Sequence, residues 1–137
     1  MTHERPDGGE KLLRSLDLAL ENGLESHAAV AYCNLVSTCH DIRDYDAAIR
    51  HLEAGRAYCD GHDLLAWFTY LGGWEARIAL DLGRWADAAA LADANLQRTR
   101  PGTLPHSRFG SLLVIGGVHA RRGDVDPWPP LDEALGI

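Results

Sequence analysis

Three places where the chain must turn back, Arg43, Gly83 and Gly123, lie 40 residues apart, twice in succession. An aromatic follows the first two at the same offset: Tyr45 in Asp44-Tyr45-Asp46-Ala47-Ala48 and Trp85 in Arg84-Trp85-Ala86-Asp87-Ala88. A period of this size marks an array of helical hairpins, because one hairpin hides only one face and its neighbours must complete the core. A ring at the start of each second helix is expected to wedge into the elbow of the pair. Alanine at 48 and 88 lets the two helices approach closely.

The apolar pattern between the breaks is helical throughout. Leucines 13, 16 and 20 form a 3.6-residue stripe that Gly23 ends. A second stripe uses Leu24, Ala28, Ala31, Leu35, Cys39 and Ile42, and a third Tyr45, Ala48, Ile49, Leu52 and Cys59. Asp60-Gly61-His62-Asp63 is the next break, with Asp63 placed as an N-cap. The strongest stripe follows, with Leu64, Trp67, Phe68, Leu71, Trp74, Ile78 and Leu82. Trp85, Ala88, Ala89, Ala92 and Leu96 carry a fifth, and Phe109, Leu112, Ile115, Gly116 and His119 a sixth. Helices are therefore predicted near 9–22, 24–42, 45–59, 63–82, 85–98, 105–122 and 129–136. No alternating run is long enough for a strand. The expectation is an all-α fold: a right-handed stack of about three antiparallel hairpins over 9–137, one domain preceded by a flexible segment, 1–8.

Composition narrows the partners. Twenty acidic side chains against thirteen basic ones, twelve of them arginine, give a net charge of −7 over 137 residues. A nucleic-acid module would carry a basic stripe, so none is expected to bind here. The longest apolar stretch, Leu112 to Val118, is far short of the roughly 20 residues that cross a bilayer. The polar start, Met1 to Lys11, has no secretory pattern, and three cysteines make no disulfide framework. A cytoplasmic protein is expected.

The hairpins match the tetratricopeptide type well in the second helix of each pair and in part in the first. Seven residues before the turns stand Val36, Ala76 and Gly116, of which the last two are small. The usual period is about 34 residues, so first helices longer by about a turn and a half are expected. In the third unit Val125 replaces the aromatic, and Pro127 to Pro130 displaces the helix start.

A wider set of motifs adds to this: Leu12-Leu13-Arg14-Ser15-Leu16, Gly23-Leu24-Glu25-Ser26-His27-Ala28-Ala29, Ala31-Tyr32-Cys33-Asn34-Leu35 and Arg43-Asp44-Tyr45. Tyr58-Cys59, Asp63-Leu64-Leu65-Ala66-Trp67, Gly83-Arg84-Trp85-Ala86 and Ala120-Arg121-Arg122-Gly123-Asp124 belong with them. Together they resemble the tetratricopeptide-like region of large LuxR-type bacterial transcriptional regulators that carry an AAA-type ATPase module. The resemblance spans roughly 9–135 and implies a helical scaffold for sensing or protein contact. This sequence has no phosphate-binding Gly-x-x-x-x-Gly-Lys-Ser/Thr loop and no basic recognition helix, so neither ATP hydrolysis nor promoter binding carries over.

Polar residues offer little chemistry. His27, Cys59 and His62 could meet at the open end of the first hairpin as a zinc cluster, with Asp60 or Asp63 adding oxygen. Without a sharper ligand pattern, Cys59 reads better as a buried small hydrophobe and the histidines as solvated, so neither metal nor other cofactor is expected. Ser37 and His40 share a helix face near Asp41 and Asp44, yet a regular helix supplies no oxyanion hole. Asp132 and Glu133 read as ordinary solvated charge. No enzyme is expected.

What remains is binding of a protein or peptide. The non-core faces of the first helices carry Val30, Cys33, Ser37 and His40, then Tyr70, Gly73, Arg77 and Leu80, then Gly110, Leu113, Gly117 and Ala120. Tyr70 and Arg77, seven apart and of the types that most often anchor interfaces, are the leading partner-binding candidates, with His40 and Ser37 behind them. The bland alternative has Tyr70 covering a neighbouring hairpin and Arg77 paired with an acidic side chain. A different reading is a small-molecule or metal sensor using a pocket beside Trp67 and Trp74. Leu131, Leu135 and Ile137 would leave apolar surface at the end, which predicts self-association.

Overall fold

The computed structural model describes residues 8–100, 105–123 and 125–136; the expected flexible segment lies, but for residue 8, outside them. Those residues form seven α-helices and no strand: α1 (Gly8–Glu21), α2 (Glu25–Asp41), α3 (Tyr45–Gly61), α4 (Leu65–Asp81), α5 (Trp85–Gln97), α6 (Pro105–Arg122) and α7 (Trp128–Leu135). The fold is all-α. Helices α2, α3 and α4 each have 17 residues, so the extra length beyond a usual hairpin falls on both members of the first pair, not on first helices alone.

The turns follow a finer rule than the 40-residue one. Left-handed residues recur every 20: Gly23 (φ 64°), Arg43 (60°), Asp63 (55°) and Gly83 (78°), with Gly123 (72°) two steps further. After each of the first four, the next residue caps the following helix in nearly the same backbone conformation, from Leu24 (φ −86°, ψ 80°) to Arg84 (φ −90°, ψ 68°). The amides of Leu24, Asp44 and Arg84 donate to the carbonyls of Ala19, Cys39 and Ala79, each at 2.9 Å, five residues back. These bonds occupy carbonyls that a helix end otherwise leaves bare. Asp63 is therefore the residue that ends α3 and not the N-cap expected from its type. Leu64 starts α4, and the aspartate that caps is Asp44, whose Oδ1 accepts from the Ala47 amide at 3.2 Å.

Contacts gather into two compact units, dividing between Asp63 and Leu64. In the first, α2 packs on both α1 and α3. Leu16 and Ala19 meet Ala28, Ala31, Tyr32 and Leu35, while Leu13 and Leu20 of the expected stripe stay exposed. In the second, α4, α5 and α6 pack mutually and α7 lies on α6. Ala76, Ala79, Ala88, Ala92, Val114 and Val118 form its apolar cluster.

The tryptophan stripe is not the most buried side of α4. Trp67 and Trp74 are half-buried, whereas Thr69, Leu71, Gly72, Gly73, Ala76, Ile78 and Ala79 are buried. Two glycines inside a helix cost about 1 kcal/mol each relative to alanine. Here they bring backbones together: a Cβ on Gly73 would lie 3.4 Å from the Cα of Gly110 in α6. Trp85, expected in the elbow, is exposed and lies under the Arg121 guanidinium, 5.9 Å from its ring centroid. Tyr45 does sit at its elbow, half-buried and edge-on to His40.

Candidate functional site

In the second unit, Tyr70 and Arg77 lie on α4. Tyr70 is half-buried and meets Trp67 edge-on at 6.2 Å. Arg77 is exposed, and its Nε donates to Asp81 Oδ1, one turn on, at 3.2 Å. A surface pair of this spacing is worth about 0.3–0.5 kcal/mol, so an acidic partner group could displace Asp81 at little cost. The other α4 positions of the expected wall, Gly73 and Leu80, are not open. Gly73 faces Gly110, and Leu80 approaches Gly117 to within 3.6 Å of where a Cβ would stand. Both contacts arise because α6 lies directly on α4.

In the first unit, Ser37 and His40 are half-buried on α2, and Val30 is exposed. Cys33 is buried instead of lining the wall. The His40 ring rests against Tyr45, with Nδ1 3.9 Å from Asp41 Oδ1. Of the two carboxylates expected near Ser37 and His40, Asp44 caps α3 through Oδ1 and Asp41 is the one beside His40.

The zinc cluster does not assemble. His27 is exposed and lines a groove between α1 and α2, while Cys59 is fully buried and acts on Cys33. His62 stacks on Tyr58 with ring centroids 4.0 Å apart and takes the Tyr58 carbonyl at 2.7 Å through Nδ1. The two histidines thus have different neighbours. Among the described residues no group of three or more His, Cys, Asp or Glu side chains is placed to hold a metal ion. Burial pushes the Cys33 thiol up to about 12, with Cys59 adding to it, and burial raises Cys59 as well. Thiols so hard to ionise are poor nucleophiles and poor ligands.

Sequence reasoning missed a buried polar network in the second unit. Asn95 on α5 donates through Nδ2 to the Thr69 carbonyl of α4 and to Ser111 Oγ of α6, both at 2.8 Å. Among the described residues its Oδ1 is buried without a hydrogen-bond partner, beside Gly72. Arg108, 5% exposed, donates from Nη1 to the carbonyls of Leu96 and Thr99, and from Nε and Nη2 to Glu133 of α7, both at 3.1 Å. Glu133 is therefore not ordinary solvated charge; it is one half of a two-pronged ion pair that ties α7 to α6. Leu131 likewise packs against Gly116, where a Cβ would clash with it, while Leu135 stays exposed. Ile137 lies outside the described residues. The signal available was Arg108, one turn before the apolar run Leu112 to Val118 of the same helix. The network holds helices together and presents no reactive group to solvent.

Two open hollows accompany these features. One, about 570 Å³, is the α1/α2 groove. The other, about 450 Å³, is bounded by Gly83, Arg84, Trp85, Ala86, Asp87 and Arg122. Comparison with protein-family models, curated proteins and solved structures finds no match to this chain. Among the described residues, no helix is long and apolar enough to cross a membrane.

Proposed function

We propose that this chain is a non-enzymatic helical-repeat module that binds protein or peptide. The observation that carries it is the pairing of Tyr70 and Arg77, two turns apart on α4, with Arg77 exposed and held by a weak surface pair. In the first unit Ser37, 40 residues before Arg77, and His40 on α2 are the further candidates. The hairpins are read as a tetratricopeptide-like right-handed stack, supported by the recurrence of one turn geometry every 20 residues. By its sequence motifs, the module serves as the sensing or scaffold part of a cytoplasmic LuxR-type bacterial regulator, or of a stand-alone relative. Self-association through the terminal helices is part of the same reading, with Trp128 and Leu135 exposed on α7.

The test is capture from a bacterial lysate, read by mass spectrometry, with the intact chain and with Tyr70→Ala plus Arg77→Ala. Specific partners should fall at least tenfold in the double variant while its circular dichroism stays unchanged. Equal capture by both proteins removes the wall from consideration.

A further inference from the structure

The second unit gathers positive charge at one corner of an acidic chain. The α4–α5 turn and the start of α5, from Gly83 to Asp87, border the hollow of about 450 Å³ together with Arg122 from the end of α6. Arg121 stands next to Arg122 in sequence, and its guanidinium lies over the Trp85 ring, which is 40% exposed. Two arginines therefore line the hollow and a third rests on its tryptophan. Among the described residues, Asp87 is the one carboxylate on its rim.

Elsewhere in the unit arginines are spoken for. Arg77 pairs with Asp81, Arg108 with Glu133, and Arg98 lies over Phe68. Among the described residues, neither Arg84 nor Arg122 has an ion pair. Arg121 donates to a neutral group, the Gly117 carbonyl, at 3.3 Å.

Arg84 is also set against the field of its helix. Cations are favoured at a helix C-terminus, which suits Arg121 and Arg122 in the last turn of α6, whereas a cation at an N-terminus meets the positive end of the dipole. Arg84 is the N-cap residue of α5 and makes no side-chain cap. Forty residues earlier stands Asp44, which lays its own carboxylate on the start of α3. An anion brought between Arg84 and Arg122 would offset the repulsion that the chain leaves at this corner.

We propose that the corner docks a short acidic segment of a partner protein, in which carboxylates alternate with aliphatic side chains. Carboxylates match the guanidinium forks of Arg84 and Arg122, and an aliphatic group covers the exposed Trp85 ring. The occupant is a polypeptide because every residue around the hollow is exposed. A small anion would keep most of its water there, while a chain adds contacts along its length. It is not a nucleic acid, because three arginines neutralise few phosphates and a long polyanion would run on over a chain of net charge −7. Nor is it the similar stretch Asp124-Val125-Asp126 of a second copy, since Asp126 Oδ1 already accepts from the Trp128 amide at 3.0 Å.

The probe is a blocked, end-labelled peptide, Ser-Asp-Leu-Glu-Leu-Asp-Ser, titrated with the full chain by fluorescence anisotropy. Saturable binding is expected, at least tenfold weaker when asparagine and glutamine replace the acids, and severalfold weaker at high salt. Arg84→Gln with Arg122→Gln should weaken it at least tenfold and Trp85→Ala severalfold, each variant keeping its circular dichroism because these side chains are exposed. Arg84→Glu with Arg122→Glu should reverse the preference towards a peptide with lysine at the acidic positions, which only direct contact would do. No binding, or binding indifferent to the loss of both arginines, overturns the proposal. Tighter binding of oligo-dT or inorganic pyrophosphate than of the acidic peptide also overturns it, because the corner would then be a phosphate site. So does a dimer, by light scattering without peptide, that Arg84→Gln with Arg122→Gln dissolves, since a second copy would then be the occupant. None of these outcomes bears on Tyr70 and Arg77.

Discussion

The two units fill their interiors in opposite ways. In the first, the residue at position 32 is tyrosine, tilted against Tyr58 at 5.8 Å, and the interior is closed by side chains such as Leu35, Val36, Leu52 and Cys59. In the second, the residue 40 positions on is Gly72, and its missing side chain leaves the space that Asn95 occupies. Backbones approach at Gly73 and Gly110, and polar groups complete the interior. The difference teaches that a repeating turn geometry dictates where helices lie without dictating what lies between them. A side-chain interior tolerates small adjustments, because neighbouring rotamers can share them. An interior of glycines and directed hydrogen bonds has fewer ways to yield.

The largest expected effect tests the polar side of this contrast. Arg108→Met should cost about 3 kcal/mol in urea unfolding, because it strands Glu133 and leaves the Leu96 and Thr99 carbonyls without their donor. A loss below 1 kcal/mol would mean that the ion pair only decorates the packing of α7.

Gly72→Ala is next, at about 2 kcal/mol. Its methyl group collides with the Asn95 amide and breaks the bonds to Thr69 and Ser111. Gly73→Ala is the control, since its methyl group meets only ordinary contacts and should stay within about 1 kcal/mol of the parent. Equal effects of the two alanines would erase the distinction between a glycine that admits a side chain and one that admits a backbone.

The smallest effect lies in the turns of the first unit, where Arg43 and Asp63 adopt a conformation that glycine adopts freely. Arg43→Gly and Asp63→Gly should each raise stability by about 0.5–1 kcal/mol, most of the left-handed penalty less the added freedom of the unfolded chain. Destabilisation by either would show that its side chain does more than occupy the turn. For Arg43 the candidate contact is the long hydrogen bond to the Tyr45 hydroxyl, 3.4 Å.

The helices were legible in the sequence because each apolar stripe ends at a break, and expected and observed limits differ by at most two residues. The 20-residue rule was not, because Arg43 and Asp63 do not look like left-handed residues: Arg43 reads as a turn without that conformation, and Asp63 as the cap of the next helix. The tryptophans of α4 drew attention away from Gly72 and Gly73, since pattern reading weighs large side chains and close approach depends on missing ones. Asn95, Arg108 and Glu133 were illegible for a related reason. A polar residue at a core position reads as solvent-facing until its partners, from 9 to 26 residues away, are known. Of the candidate site, the sequence supplied Arg77 on an exposed face; that α6 covers Gly73 and Leu80 emerges only from helix packing.

The even stride of the left-handed turns has a consequence for how such a chain can lengthen. Copying a 40-residue block at any of these corners adds a helix pair and leaves every later helix in its former role. Copying 20 residues would move each later helix into the place of the other member of its pair, putting faces shaped for one neighbour against another. In the proposed stack, growth by duplication therefore proceeds in even numbers of helices.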